Sequence, residues 1–449
     1  IFSKKLPGDF WKARNGGQGT LDGLNWEKTP PVGTGPWKYS ARDKTSLTFA
    51  RNDDYWADEP PHFKTLGITW RNDPRDRIAA WRAGEVDLLW PLKAENIDDV
   101  KDVPAFLFAA PAPTTMFAAF NFNNPIRAQP DLLTALRVRQ ALSLAIDRPK
   151  YRETVFRSFI DVTPATSFPQ PWLRNEDLIN PARSRKAARE LLNDAGFRRS
   201  GDGTTVDPNG DPFVLTALVR QSTRFDLRMA LRSIGEDFAA LGIGFNLQEL
   251  ADLDFNDRWT ATHDFDLIAF GYNVYPGFTD FDLYGSNWDI RINPQGWNPG
   301  GYNNAAADKA IKGALNAESL DALVSSVNDL QVAANDDLFA LWLGFPDDLV
   351  LAHHDLLGFQ STMYWQTWNT RKLWRRPAGA PVPEEVIIPS ALATPEASAS
   401  PAASPGRASQ STDQSSPQPT PAPCEGVGRK HVPVDAESEV RFVFLPDRT

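Results

Sequence analysis

The sequence predicts an α/β fold with a ligand cleft, on three observations. Between Phe213 and Pro276 the chain reads strand, helix, strand, helix, strand. That run then breaks into an aromatic loop, Gly271-Tyr272-Asn273-Val274-Tyr275-Pro276. Elsewhere, as far as about residue 376, apolar stripes at helical spacing alternate with short strand-like runs. In open α/β sheets ligands bind at the loops leaving the carboxyl ends of strands. Arg220-Gln221-Ser222 and the Gly271 loop are such loops.

Taken in order, Gly33 and Gly35 loosen a turn, and Pro36 fixes the entry to a strand over Trp37–Tyr39. Asp73-Pro74 is a cap followed by proline at the first helical position, and that helix ends at Gly84. Glu85 and Asp87 read as a solvated turn before a strand over Val86–Trp90, in preference to an acid/base pair. Leu136–Ile146 carries Val138, Leu142 and Ala145 on one helical face. Arg137, Arg139 and Arg148 read as a solvated helix face or internal ion pairs. Asn180-Pro181 opens a helix with Ala188, Leu191, Leu192 and Ala195 inward, closed by Gly196.

Phe213–Val219 is an apolar strand, followed by a helix with Leu231, Ile234, Phe238 and Leu241 on one face. Gly242 stands where a left-handed cap is wanted. Ile243–Leu250 and Phe265–Phe270 are the next strands. Leu320, Leu323, Val327, Leu330 and Ala334 form a further helical stripe. From Pro377 to about residue 431 the chain turns to Pro, Ala, Ser and Thr, a composition expected to be disordered. The last segment, 432–449, has β character at Val440, Phe442, Val443 and Phe444 but is too short to fold alone.

The 449 residues suffice for two or three domains, and 15 Trp with 27 Phe can build large cores. A net charge of −10 argues against nucleic acid, which calls for a basic face. The one cysteine, Cys424, excludes an internal disulfide framework and a cysteine metal site. His353 and His354 are adjacent, so on a strand they point to opposite faces and cannot share a metal ion. No metal and no cofactor is expected. No nucleophile elbow, P-loop or dinucleotide fingerprint is present, so no enzymatic role is expected.

Six segments, in this order, resemble the extracellular solute-binding proteins of the peptide/nickel class, family 5, which serve ABC importers. They are Pro31-Val32-Gly33-Thr34-Gly35-Pro36-Trp37-Lys38, Arg51-Asn52-Asp53-Asp54-Tyr55-Trp56, Ala83-Gly84-Glu85-Val86-Asp87, Val138 through Arg148, Phe265-Asp266-Leu267 leading into Gly271-Tyr272, and Tyr302-Asn303-Asn304 with Asp308. The resemblance covers roughly residues 1–375. It implies a two-lobed periplasmic-binding-protein-like fold that closes about a hinge. Lobe I would be discontinuous, residues 1–120 completed by 346–376, and lobe II would be 121–345. The first crossing would lie near Phe120-Asn121-Phe122-Asn123 and the return near Leu341–Leu351. Family members begin with further lobe I strands upstream of the Gly-Thr-Gly-Pro turn, so an N-terminally incomplete lobe I with an exposed sheet edge is expected.

The resemblance and the strand-end rule together place candidate ligand contacts at Gly271, Tyr272, Asn273, Val274 and Tyr275; the strand-end rule adds Arg220 and Gln221, the expected crossing adds Asn121, and the downstream aromatic loop adds Trp288. Tyr272 and Tyr275 would act as flat walls and Asn273 as donor and acceptor; Trp288 and Trp297 lie on a downstream loop. Peptide-binding relatives carry an aspartate for the ligand's amine where Val274 stands here. Its loss points to a solute without an obligatory α-ammonium, such as an oligosaccharide, unless Asp280 or Asp282 compensates.

The function implied is extracytoplasmic capture of a peptide-like or oligosaccharide-like solute by a monomer that docks on ABC permease subunits. The implied location is the periplasm or the outer face of the cytoplasmic membrane, with any lipid anchor upstream of Ile1. Two alternatives stand beside it: a degenerate binding or sensing surface protein, and a glycan-active enzyme using a carboxylate pair.

Overall fold

The computed structural model describes residues 33–57, 59–125, 135–274, 280–377, 379–380 and 439–444. The expectations for Pro31, Val32 and Tyr275, and those for the tail beyond Ala380 other than 439–444, lie outside the described residues.

The chain begins with β1 (Trp37–Arg42), β2 (Ser46–Arg51), β3 (Thr65–Trp70), α1 (Pro74–Arg82), β4 (Leu88–Leu92), β5 (Ala105–Pro111) and β6 (Thr114–Phe120). It continues with α2 (Leu136–Ala145), α3 (Arg148–Thr154), β7 (Ile160–Asp161), α4 (Arg185–Asp194), β8 (Arg198–Arg199) and β9 (Thr205–Val206). Then come β10 (Val214–Arg220), α5 (Phe225–Ala239), β11 (Gly244–Leu250), α6 (Asp252–Asp257) and β12 (Leu267–Asn273). Last are α7 (Ala305–Leu315), α8 (Leu320–Asp336), β13 (Ala340–His353), β14 (Leu356–Leu357), β15 (Trp374–Arg375) and β16 (Glu439–Phe444).

Local chemistry explains several boundaries. Asp73 caps α1 by accepting from the Arg75 amide at 2.8 Å, with Pro74 in the first turn. Helix α4 starts later than Asn180-Pro181 suggested, because Ser184 is its cap. The Asn180 amide instead donates to the carbonyls of Val162 and Pro164, at 2.9 and 3.0 Å, and pins the loop after β7. After α5, Gly242 has φ +79°, and a Cβ there would come within 2.2 Å of the Gly203 carbonyl oxygen. Only glycine fits that turn.

One continuous path of hydrogen-bonded strands runs β1-β2-β3-β16-β4-β13-β6-β12-β10-β11, with β5 and β7 pairing on β13. It divides into two lobes along β13. The amino-terminal part of β13 pairs with β6, from Ala340 opposite Ala119 to Gly344 opposite Met116. Its carboxyl-terminal part pairs with β5 and β4, from Asp347 opposite Pro111 to Ala352 opposite Leu88. At the change of partner Gly344 has φ +128°, and a Cβ would come within 2.3 Å of the Asp161 carbonyl oxygen. The outward passage lies at 111–114, between β5 and β6, earlier in the chain than the expected 120–123. All seven residues of β6 are buried, which fits a central strand of the second lobe.

Each lobe has helices or loops on both faces of its sheet. In the second lobe Met116, Ala118, Phe120, Leu215, Ala217, Leu267 and Leu341 face the core under α2, α4 and α5. The alternate residues Phe117, Ala119, Leu218, Ile268 and Trp342 face the core under α7 and α8. This is the period-two alternation of a sheet covered on both sides. In the first lobe Leu89, Leu349, Leu351 and Val443 pack under α1, and Leu66, Leu88, Val350, Val440 and Phe442 pack on the other face. The helical stripes hold as expected at Val138, Leu142, Ala145, Val327, Leu330 and Ala334, although Leu320 is exposed.

Three charged groups depart from the sequence reading. Arg139 and Arg148 are buried, and their guanidinium groups donate mainly to carbonyl oxygens, of Asp337 for the first and of Trp342 and Ser143 for the second. They tie helices to the end of α8 and to β13 rather than facing water. Asp87 is buried, whereas Glu85 is exposed and paired with Arg71. The Asp87 carboxylate accepts from the Arg441 amide at 2.8 Å and from the Arg375 guanidinium at 2.6 Å. Its own amide donates to the Arg441 carbonyl at 2.7 Å. Asp87 therefore fastens β16 and β15 to the start of β4.

Two expectations follow. Asp87→Ala strands the Arg375 guanidinium and the Arg441 amide, and should cost about 3 kcal/mol in urea unfolding; an unchanged midpoint would contradict the clasp. Asp347, on the crossing, is pushed up to about 6 by burial, reinforced by Asp161 and Asp348. Its folded value exceeds its unfolded one, so the stability it lends is full below about pH 4 and lost as pH rises through 6. Asp347→Asn should flatten that decline and stabilise the protein at pH 7 by about 1–2 kcal/mol, discounted for partial solvent exposure. Urea midpoints from pH 4 to 7 measure it; a wild-type profile in the variant would refute the assignment.

Candidate functional site

Strands β10 and β12 are parallel, with Ala217 opposite Leu267 and Leu218 opposite Ile268. Their carboxyl ends, Arg220 and Asn273, therefore point the same way. Strand β12 is antiparallel to β6, pairing Asn273 with Thr114 and Tyr272 with Thr115. Thr114 is the first residue of β6 after the passage from the other lobe. The Val274 amide donates to the Pro113 carbonyl at 2.7 Å, and the Ala112 amide to the Pro346 carbonyl at 2.9 Å. The end of β12 thus lies directly against the 111–114 passage, which is itself bonded to the other crossing at Pro346. In the other lobe β4 ends at Leu92 opposite Leu349, also beside the crossing. The carboxyl ends of strands from both lobes converge there.

Tyr272 is half-buried on the face of β12 that carries Ile268 and Phe270. Its phenol donates to Asp282 at 3.3 Å, and its ring meets Trp297 edge-on at 6.0 Å. Trp297 continues to Trp259 at 5.2 Å, and Trp259 to Phe270 at 5.3 Å. The row ends partly open, because Trp297 is 41% exposed. Burial pushes the Asp282 carboxyl up, with the Tyr272 phenol pulling the other way. Asn273 is exposed, and its side-chain oxygen accepts from the Thr114 hydroxyl at 2.7 Å. Gly271 sits in β12 opposite Met116, with only the Thr114 methyl near where its Cβ would be, at 3.7 Å.

The other named residues divide. Val274 is fully buried. Asn121 is buried, and its amide donates to the His263 and Phe265 carbonyls at 2.8 and 2.9 Å while its oxygen accepts from the Asn123 amide at 3.1 Å. That side chain ties the end of β6 to the turn before β12. Arg220 bonds Asn256 at 2.7 Å and lies over the Phe255 ring at 4.7 Å, a packed cation on α6. Gln221 is exposed and donates to the Glu249 carbonyl at 3.0 Å. Trp288 is 38% exposed at the surface of a tight loop, where a Cβ at Gly296 would come within 2.0 Å of its carbonyl oxygen.

Sequence reasoning missed a set of charges that stand near strand ends in both lobes. Lys93 and Glu95 follow β4; Arg224 and Asp226 open α5 just after β10; Asp348 stands on β13. Arg224 and Asp226 form a paired fork, with contacts of 3.1, 3.1 and 2.7 Å. Burial draws the Lys93 ammonium down, assisted by Arg224 and opposed by Asp226 and Glu95. Burial raises Glu95, against the pull of Lys93. Burial also raises Asp348, against Arg224. These couplings place charges of one lobe within electrostatic reach of the other. The available signal was the charge pattern of Lys93-Ala94-Glu95 and Arg224-Phe225-Asp226 directly after apolar strands.

Among the described residues no group of three His, Cys, Asp or Glu side chains is placed to hold a metal ion. His353 is spent in the first lobe, stacked on Trp81 at 4.5 Å and bonded to the Trp81 carbonyl at 2.8 Å. A concavity of about 440 Å³ between Trp172 and the Leu320, Asp321, Val324 and Asn328 face of α8 includes none of the site residues.

Comparison with known proteins places this geometry. Residues 17–289 match the family model of bacterial extracellular solute-binding proteins, family 5. The oligopeptide-binding protein AppA of Bacillus subtilis is 22% identical over 366 residues, covering 79% of this chain and 64% of that protein. The nickel-binding periplasmic protein of Escherichia coli is 25% identical over 236 residues, covering 50% of this chain and 43% of that protein. The chain thus spans less than two thirds of the length of these curated relatives. Among solved structures, NikA from Brucella suis in complex with Fe(III)-EDTA superposes with a TM-score of 0.66 at 20% identity, covering 80% of this chain and 70% of that one. NikZ from Campylobacter jejuni in complex with Ni(L-His) does so with a TM-score of 0.64 at 21% identity, covering 82% and 72%. Both share the two-lobed fold described above. With the family model spanning more than half of its length, this chain belongs to the bacterial extracellular solute-binding proteins of family 5.

Proposed function

We propose that the protein captures a small polar solute, peptide-like or oligosaccharide-like, between its lobes for delivery to the permease subunits of an ABC importer. The observation that carries this reading is the convergence of β4, β10 and β12 on the two crossing segments, with Tyr272 and the charged cluster at the junction. We assign residues 37–111, 347–376 and 439–444 to lobe I and residues 114–344 to lobe II, with the hinge at 111–114 and 344–347. Solute that touches both lobes favours the closed form, and the closed form is the one the permease reads. The protein works as a monomer outside the cytoplasmic membrane. Its relatives are named as binding proteins, which supports capture without covalent chemistry.

The solute class follows from what stands at the loop. Val274 offers no carboxylate and is buried. One oxygen of the Asp282 carboxylate accepts from the Tyr272 phenol at 3.3 Å, so part of its acceptor capacity is already used. The Tyr272–Trp297 edge offers ring faces for stacking, and Asn273 offers an exposed amide. The site suits a solute held by stacking and neutral hydrogen bonds more than one held by a single buried charge.

Calorimetry with a di- and tripeptide pool, an oligosaccharide pool and nickel–histidine tests this. Saturable binding is expected from the oligosaccharide or the peptide pool, with Tyr272→Ala weakening it by about tenfold or more, roughly 1.4 kcal/mol. Absence of binding from both pools, or wild-type affinity in the variant, would contradict the reading.

A further inference from the structure

Strand β16 lies in the interior of the lobe I sheet, between β3 and β4 and parallel to both. Every residue from Glu439 to Phe444 pairs with β3, from Thr65 to Trp70, and Phe442 and Val443 also pair with Leu88 and Leu89. Among the described residues, β1-β2-β3 joins the rest of the sheet by hydrogen bonds only through this strand. Its side chains are shared between the two faces. Val440 and Phe442 enter the cluster of Phe63, Leu66, Leu88 and Val350, and Val443 enters that of Ile78, Trp81 and Leu89. All three are completely buried.

The slot is shaped for this segment. A Cβ at Gly67 on β3 would come within 3.3 Å of the Glu439 carboxylate and 3.4 Å of the Arg441 side chain, so glycine leaves room for the Glu439–Arg441 pair that crosses it. Asp87 holds the middle of the strand through both the Arg441 amide and the Arg441 carbonyl. The Thr69 hydroxyl donates to the Phe442 carbonyl at 3.2 Å, and the Arg71 amide to that of Phe444 at 3.1 Å. Residues 381–438 separate the strand from the preceding described residue, a contour on the order of 190 Å if extended. By its Pro, Ala, Ser and Thr composition that stretch is not expected to set a register. The register must come from the slot itself.

We propose that the space between β3 and β4 is a strand-acceptor site that binds the segment Glu439–Phe444 non-covalently, as a parallel extended ligand, and accepts the same segment supplied in trans. The mode is strand addition with main-chain pairing on both sides: alternate side-chain pockets for Val440 and Phe442 select on one face, and the Val443 pocket on the other. The connecting chain acts as a tether that raises local concentration and contributes no specificity. This site is separate from the solute cleft and does not depend on what the cleft binds.

The test uses the full chain with a protease site inserted near Ala402. The chain is cut, unfolded in urea and refolded, with or without a twentyfold excess of a fluorescent peptide spanning residues 436–447. Size exclusion reads which pieces travel together. Without peptide the carboxyl-terminal piece should co-elute with the large piece. With peptide, label should enter the large-piece peak at close to one per chain. A peptide carrying Phe442→Asp should enter at least about tenfold less, and because only the peptide is altered, misfolding of the protein cannot explain that loss. Release of the carboxyl-terminal piece on cutting, failure of the labelled peptide to enter, or equal entry of both peptides would each overturn the proposal.

Discussion

Strand β13 is the constraint on which the rest of the molecule depends. It is one extended segment of fourteen residues that serves two sheets in turn, changing partners between Gly344 and Asp347. Because its backbone is bonded on both sides of that change, the two lobes cannot separate. Among the described residues the chain crosses between the lobes in this strand and in the short passage between β5 and β6, which is where the proposed rotation would occur. The positive φ of Gly344 and its close approach to the Asp161 carbonyl mark where the strand bends. A raised carboxyl at Asp347, beside Asp161 and Asp348, puts unfavourable charge at the same place.

The site inherits its position from that joint. Parallel strands expose their carboxyl ends together, and in this chain the ends of β10 and β12 in one lobe and β4 in the other meet at the crossing. The aromatic row from Phe270 through Trp259 to Trp297 packs against Tyr272, so if that ring meets solute as proposed it is already ordered by its neighbours. The charges of Lys93, Glu95, Arg224, Asp226 and Asp348 are nearly balanced. Two cations and three carboxylates leave at most one uncompensated negative charge among them.

Much of the second lobe was legible from residue patterns. The strand–helix–strand run from Phe213, the left-handed turn at Gly242 and the stripe through Val327, Leu330 and Ala334 all reflect local periodicity, and the structure repeats them. What was not legible depends on partners distant in the chain. Asp87 reads as a turn residue until β15 and β16 fold over it. Arg139 and Arg148 read as surface cations until carbonyls from the end of α8 and from β13 reach them. The sequence puts the crossing near 120–123 because Thr114–Phe120 is an apolar strand that either lobe could claim; its pairing with β12 and with the first half of β13 is what favours the proposed hinge at 111–114. Of the proposed site, the Gly271 loop is what the strand-end rule singles out, while Asn121 is a buried tie between strand ends. The cross-lobe charges escaped because their meaning lies in the meeting of two loops more than a hundred residues apart in sequence.

Rotation of one lobe against the other on solute is the claim that matters most, and a distance across the cleft tests it most directly. Donor and acceptor dyes on Lys101→Cys and Leu253→Cys, in a Cys424→Ser background, report lobe I against lobe II at two exposed positions. Addition of the peptide, oligosaccharide and nickel–histidine pools in turn should raise transfer efficiency saturably with at least one of them. A single unchanging efficiency across all three would contradict a hinged, solute-capturing pair of lobes.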